Sequence, residues 1–197
     1  MVGDYKQDPD VQLMLKVGEG NLQSFEELVL KHQKAVLNAA YRYTGNPSVA
    51  EELTQDVFVR VFRAAKSYRP EARFSTWLFT IVRNVCMNYK MREGKQDHQM
   101  DADNDLTEVS QSQENPEQRA IRRELELKIQ KAIMSLPETL RMPLILSQFH
   151  QMPYEEIAKV LELSVAAVKV RIHRARNALA ERLIASEKSD RKTVTSG

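Results

Sequence analysis

Between positions 93 and 118 the chain carries eight acidic residues against one basic, and its only aliphatic side chains beyond alanine are Met100, Leu106 and Val109. Such a strip cannot bury enough apolar area to offset the entropy of ordering it. It therefore reads as a flexible linker. About 25 residues of flexible chain have a root-mean-square span near 25–30 Å, and like charges extend it further. The chain is thus expected to fold as two small domains, 1–92 and 119–184, with the linker at 93–118 and a polar, frayed tail at 185–197.

Both flanking blocks read as helical. Gly (6) and Pro (7) are scarce among 197 residues, and Leu, Ala, Glu, Lys, Arg and Gln abound, which favours helix. The expected class is all-α. The formal net charge of +2 is a sum over unlike parts. Residues 1–92 hold 13 basic and 10 acidic side chains, and residues 119–197 hold 15 and 9. Two basic blocks therefore flank an acidic strip, a pattern suited to nucleic acid.

The single cysteine, Cys86, excludes a disulfide framework and a cysteine-based zinc site. No apolar run reaches the roughly 18–20 residues of a membrane span, and the start Met1-Val2-Gly3-Asp4-Tyr5-Lys6 is not an apolar leader. The expected location is the cytoplasm, at the nucleoid when the protein is bound to its partners.

In the first block, Pro9 to Val17 reads as one helix and Ser24-Phe25-Glu26-Glu27 as the capping box of a second, ended by Gly45. Asn46-Pro47 opens a third, and the fourth runs from Phe74 to about Met91. In the second block, Asn115-Pro116 opens a helix to about Met134, and Pro137 opens the next, with Pro143 expected to kink or restart it. Two more helices follow, Tyr154–Leu161 and Val165 to about Ile184.

Residues 154–174 fit a helix-turn-helix. Ile157, Ala158, Leu161, Leu163, Val168, Ile172 and Ala175 face inward, and Lys169, Arg171, His173, Arg174 and Arg176 face outward. No acid lies between Ser164 and Ala180. A recognition helix needs this division, apolar behind and basic toward the major groove. The alternative is a plain helical hairpin with a solvated basic face. The turn position is usually Gly in this motif and is Glu162 here.

The stretch 64–92 interleaves Tyr68, Phe74, Trp77, Phe79 and Tyr89 with Arg63, Lys66, Arg69, Arg73, Arg83, Lys90 and Arg92. Aromatic and cationic side chains together suit single-stranded nucleic acid. Trp77 shares a helical stripe with Phe74, Ile81 and Val82 and reads as core, whereas Tyr68 and Phe79 lie off it. Thr76, Thr80, Arg83, Asn84 and Lys90 form a polar face opposite.

With these residues in view, the chain resembles bacterial RNA polymerase sigma factors of the extracytoplasmic-function (ECF) type over about residues 10–184. The resemblance rests on Ser24-Phe25-Glu26-Glu27-Leu28-Val29, Ala50-Glu51-Glu52-Leu53-Thr54-Gln55-Asp56-Val57-Phe58, Phe74-Ser75-Thr76-Trp77-Leu78 and Ile81-Val82-Arg83-Asn84 in the first block. In the second it rests on Leu136-Pro137-Glu138, Tyr154-Glu155-Glu156-Ile157-Ala158 and the run from Val168 to Arg176.

The resemblance implies a transcription initiation factor, not an enzyme, that binds core RNA polymerase and promoter DNA, with an anti-sigma factor as a further partner. It implies docking on the polymerase through Glu52, Gln55, Asp56, Val59 and Arg63. It implies capture of the melted minus-ten strand by Tyr68, Arg69, Arg73, Phe74, Ser75, Thr76, Thr80, Arg83 and Asn84. It implies duplex contacts at the minus-thirty-five element from Ser164, Ala166, Ala167, Lys169, Val170, Arg171, His173, Arg174 and Arg176. The linker is then expected to occupy a nucleic-acid channel of the polymerase, where its negative charge is favourable.

Two other classes compete on the residues alone. A dimeric helix-turn-helix regulator would bind duplex without the polymerase. A DNA-processing enzyme would need clustered carboxylates or an activated nucleophile, and His32, His98, His150 and His173 are scattered. His32 lies on an apolar stripe and is expected to be packed, and Cys86 to be inert. No cofactor or metal is expected.

Overall fold

The computed structural model describes residues 5–93 and 115–194, with side chains as far as Ile184. The acidic strip therefore lies outside the described residues apart from its ends. Among the described residues eight α-helices follow in order: α1 (Pro9–Gly18), α2 (Leu22–Thr44), α3 (Pro47–Ala64), α4 (Phe74–Glu93), α5 (Pro116–Met134), α6 (Glu138–Gln148), α7 (Tyr154–Leu161) and α8 (Val165–Val194). Among the described residues there is no strand, and no helix is long and apolar enough to cross a membrane.

Local chemistry sets most of the ends. The Asp8 carboxylate accepts from the Asp10 amide at 3.0 Å, capping α1. Its other oxygen accepts from the Phe74 amide at 3.3 Å, so one side chain holds the start of α4 as well. Asn46 accepts from the Val49 amide at 3.2 Å before Pro47. Gly45 ends α2 at φ 76°, and a Cβ there would stand 2.9 Å from the Met134 sulfur. Left-handed backbone and close approach both require glycine at this point.

Three elements differ from expectation. α2 starts at Leu22, one turn early, because Asn21 caps it by accepting from the Ser24 amide at 2.9 Å. Pro143 does not restart α6, which runs as one helix through it. The missing N–H forfeits a single bond to the Thr139 carbonyl. Burial of Met142, Leu144, Ile145 and Leu146 around it offsets that loss. α8 continues to Val194, where fraying from Ala185 was expected.

In α1–α4 the core is built from Val11, Met14, Leu28, Val36, Val57, Val61, Phe74, Leu78 and Val82. It does not stop at the linker. Ile145, Leu146, Met152, Ile157, Val160, Val168 and Ile172 of the second block belong to the same buried cluster. A smaller cluster of Ile133, Leu136, Leu144 and Ala175 lies beyond it. α7 packs on α4, and α5 and α6 pack on the end of α2. The helix-turn-helix is therefore seated against the first block.

Candidate nucleic-acid interface

α7 and α8 meet as the alternation of apolar and basic residues requires. Ile157, Ala158, Val168, Ile172 and Ala175 are buried. Leu161, expected to face inward, is only half-buried, whereas Val160 is fully buried because α7 presents a second apolar face to α4. Glu162 makes the turn in left-handed backbone, φ 55° and ψ 45°. That conformation costs a non-glycine residue roughly 1–2 kcal/mol. The Leu163 amide then donates to the Ala158 carbonyl at 2.9 Å. Ser164 caps α8 by accepting from the Ala167 amide at 3.1 Å.

On the outer face of α8, Ser164, Ala166, Lys169, Val170, His173, Arg174 and Arg176 are exposed, and Ala167 and Arg171 are half-buried. His173 pairs with the Asn177 amide at 3.3 Å, one turn along. This surface is a continuous basic and hydrogen-bonding strip without a carboxylate in the first four turns.

The aromatic and basic stretch of the first block is organised differently from a free stacking platform. Phe74 is a core residue with no exposed surface, its ring tilted against those of His32 at 5.2 Å and Trp77 at 5.7 Å. Its apolar ring and the Asp8–amide bond pull it inward, which removes it from the strand-contacting set. Tyr68 and Phe79, expected to be free, are both 4 % exposed. Tyr68 packs edge-on to Trp77 at 4.8 Å, and burial pushes its hydroxyl up to about 12. Phe79 meets the His150 ring at 4.6 Å.

Beside them is a pocket of about 350 Å³ lined by Tyr68, Arg69, Thr76, Trp77, Thr80 and Lys159, among others. Arg69 is exposed, and its guanidinium donates to the Tyr68 carbonyl at 3.1 Å. Ser75 is half-buried, Asn84 exposed. Thr80 donates to the Thr76 carbonyl at 2.9 Å.

Three residues of this surface are engaged by α7 and its turn. Thr76 donates to Glu156 Oε2 at 3.1 Å. Arg73 Nε pairs with Glu156 Oε1 at 3.3 Å. Arg83 Nη1 donates to Glu162 Oε1 at 2.8 Å and to the neighbouring Asn84 Oδ1 at 3.0 Å. Sequence reasoning missed Glu156 and Glu162. The one available signal was Glu162 at a turn position where glycine is usual.

On the outer face of α3, Glu52, Gln55, Val59 and Arg63 are exposed. Asp56 is half-buried and held by Arg60 one turn on, Oδ1 to Nε at 3.1 Å and Oδ2 to Nη2 at 3.0 Å. By spacing Phe62 would widen the inner stripe of α3 formed by Leu53, Val57 and Val61, but it stands exposed on the same side as Val59 and meets the Phe25 ring at 5.0 Å. Among the described residues no group of three or more His, Cys, Asp or Glu could hold a metal ion. Cys86 is buried, and burial pushes its thiol up to about 12. His32 is packed, with Nε2 at 3.0 Å from the Asp10 carboxylate that Lys31 also meets at 2.6 Å.

Comparison with known proteins finds a separate family match in each block. Residues 28–96 match the family model of Sigma-70 region 2, and residues 126–179 match that of Sigma-70, region 4. The RNA polymerase sigma-H factor of Pseudomonas aeruginosa is 32% identical over 179 residues, covering 88% of this chain and 93% of the relative. The ECF RNA polymerase sigma-E factor of Escherichia coli is 33% identical over 180 residues, covering 86% and 92%. The solved structure of CnrH in complex with the cytosolic domain of CnrY matches with a TM-score of 0.69 at 29% identity, over 90% of this chain and 99% of that one. The sigma factor RpoE of Bartonella quintana, solved with the anti-sigma factor NepR, has the same fold at 22% identity and a TM-score of 0.66, over 82% and 97%. A helix-turn-helix with a basic outer face, a first block matching region 2 and relatives of this identity and coverage lead to one conclusion: the chain belongs to the ECF sigma factors, the transcription initiation factors of bacterial RNA polymerase.

Proposed function

We propose that the two blocks divide promoter recognition between them, within the cytoplasm and at the nucleoid once the polymerase is bound. The first block, 1–92, binds core RNA polymerase and the minus-ten strand, and the second, 119–184, reads the minus-thirty-five duplex. The protein acts by binding, without catalysis of its own.

The exposed basic strip of α8 carries the duplex assignment. Arg171 and Arg174 offer guanidinium groups for guanine or phosphate, and Ser164, Ala166, Ala167, Lys169, Val170, His173 and Arg176 complete the surface. If Arg174 is bidentate to a guanine, Arg174→Ala costs about 1–3 kcal/mol and relaxes one base position. Footprinting of the polymerase holoenzyme on promoter fragments checks this: the minus-thirty-five protection weakens. An unchanged footprint contradicts it.

Polymerase docking is assigned to the outer face of α3. Val59 and Phe62 supply an apolar centre, and Glu52, Gln55, Asp56 and Arg63 a polar rim, the usual anatomy of an interface. Strand capture is assigned to the pocket beside Tyr68 and Trp77, with Arg69, Arg73, Ser75, Thr76, Thr80, Arg83 and Asn84 around it. Extruding a base costs a few kcal/mol of unstacking, which such a pocket must offset. The relatives solved with CnrY and with NepR support an anti-sigma partner for this chain as well.

A further inference from the structure

Strand capture and the seating of α7 make incompatible demands on the same atoms. Thr76 Oγ1, Arg73 and Arg83 are donors suited to phosphates and bases, and each is already spent on a carboxylate of the helix-turn-helix. We infer that Glu156 and Glu162 form an intramolecular latch, with carboxylates standing where the phosphates of the minus-ten strand would lie. The free factor is thereby held closed and its strand surface covered. The inference rests on the strand reading of that surface given above.

Two observations lift the contacts above ordinary surface ion pairs, which contribute little. The first is their partial burial. In each pair one partner is covered and the other reaches in from solvent: Glu156 is 17 % exposed against 64 % for Arg73, and Arg83 16 % against 71 % for Glu162, while Thr76 is almost fully covered. Charges taken partly out of water interact more strongly than exposed ones. The second is the backbone at Glu162. Its φ of 55° is disfavoured for any side chain, and glycine would make the same turn without strain. A residue that only shaped the turn would lose nothing as glycine. The Glu162 carboxylate instead reaches across to Arg83 at 2.8 Å. Strain retained where a side chain makes a contact between domains points to a role for that side chain.

The closed state also has apolar adhesion, from Phe79, Met152 and Val160. That seam is nondirectional, whereas the two glutamates face the strand-binding donors. The latch therefore fixes which surface is hidden, and a DNA strand competes with it directly.

The test uses the full chain and two readouts. Compactness is read as the radius of gyration by small-angle X-ray scattering. Strand binding is read by anisotropy with a fluorescein-labelled, ten-nucleotide single-stranded DNA of mixed sequence. The latch variant is Glu156→Gln with Glu162→Gly, the second change relieving the turn so that folding is preserved. The charge control is Glu155→Gln with Glu181→Gln, two exposed acids of the same block. The latch variant is expected to expand and to bind the strand about tenfold more tightly, with the control unchanged in both. No expansion, with affinity within about twofold of the original, overturns the latch. An equal gain in the control overturns it too, since bulk charge would then suffice. Expansion without tighter binding overturns the strand reading of the surface, and the inference with it.

Discussion

Replacing Arg141 by alanine is expected to cost about 4 kcal/mol of unfolding free energy. The side chain is 6 % exposed and carries no apolar justification for its burial. Its work is to close helix ends. The last carbonyls of a helix have no partner within it, and they form the negative end of its dipole. Arg141 Nη1 donates to the Tyr43 carbonyl at the end of α2, at 3.0 Å. Nη2 donates to the Met134 carbonyl at 2.8 Å and to that of Leu136 at 3.0 Å, at the end of α5. The guanidinium also lies 5.6 Å from the Tyr43 ring centroid.

Gln130 completes this closure by donating to the Tyr41 and Arg42 carbonyls at 3.2 and 3.3 Å. Burial lowers the Arg141 pKa, but from so high a value that the group stays charged at neutral pH. Truncation leaves three carbonyls unmatched, each at about 1–3 kcal/mol. Arg141→Lys restores only part, because one ammonium cannot reproduce the planar fork. Urea unfolding followed by circular dichroism checks the order: original most stable, lysine intermediate, alanine least. Alanine within about 1 kcal/mol of the original contradicts the account.

Acidification is expected to destabilise the protein through His150 by up to about 3 kcal/mol. Its ring is packed against Phe79, its Nε2 is buried without a partner, and burial alone pulls its pKa from 6.5 down to about 4. Between those two values the unfolded chain takes up a proton that the folded chain refuses. The contribution is therefore fully present above pH 6.5 and is lost as pH falls toward 4. The difference in unfolding free energy between the original and His150→Phe isolates this residue. That difference should change across pH 6.5 to 4, with the variant losing less on acidification. A difference independent of pH in that window contradicts the assignment. The groups raised to about 12, Tyr43, Tyr68, Tyr89 and Cys86, titrate far above this range.

Helix placement was legible wherever chemistry local in sequence decides it. Asn46-Pro47, Asn115-Pro116 and Gly45 mark boundaries that the fold keeps. The inward and outward faces of α8 follow from spacing alone, because helical geometry fixes them. Features that depend on the other block were not legible. Val160 is buried, and Phe79 covered, because α7 lies on α4. Arg141 reads as a surface charge until the ends of α2 and α5 are brought to it. Pro143 is tolerated because burial on both sides of α6 outweighs one lost bond. Phe62 is ambiguous, as an aromatic at the margin of a stripe can turn either way.

The candidate site shows the same division. The surface proposed for the duplex was readable as a strip of residue types on one helix. The surface proposed for the strand was readable in type but not in state. Nothing local to Thr76 or Arg83 announces that Glu156 and Glu162 cover them. Only the non-glycine turn at Glu162 hinted at it.

The most direct test of the central claim is transcription with core RNA polymerase on a pool of genomic fragments from the source bacterium, with RNA 5′ ends read by sequencing. Adding the protein is expected to produce discrete start sites sharing two upstream elements, and Arg171→Ala with Arg174→Ala to remove them. The same RNA ends with and without the protein would contradict its action as a sigma factor.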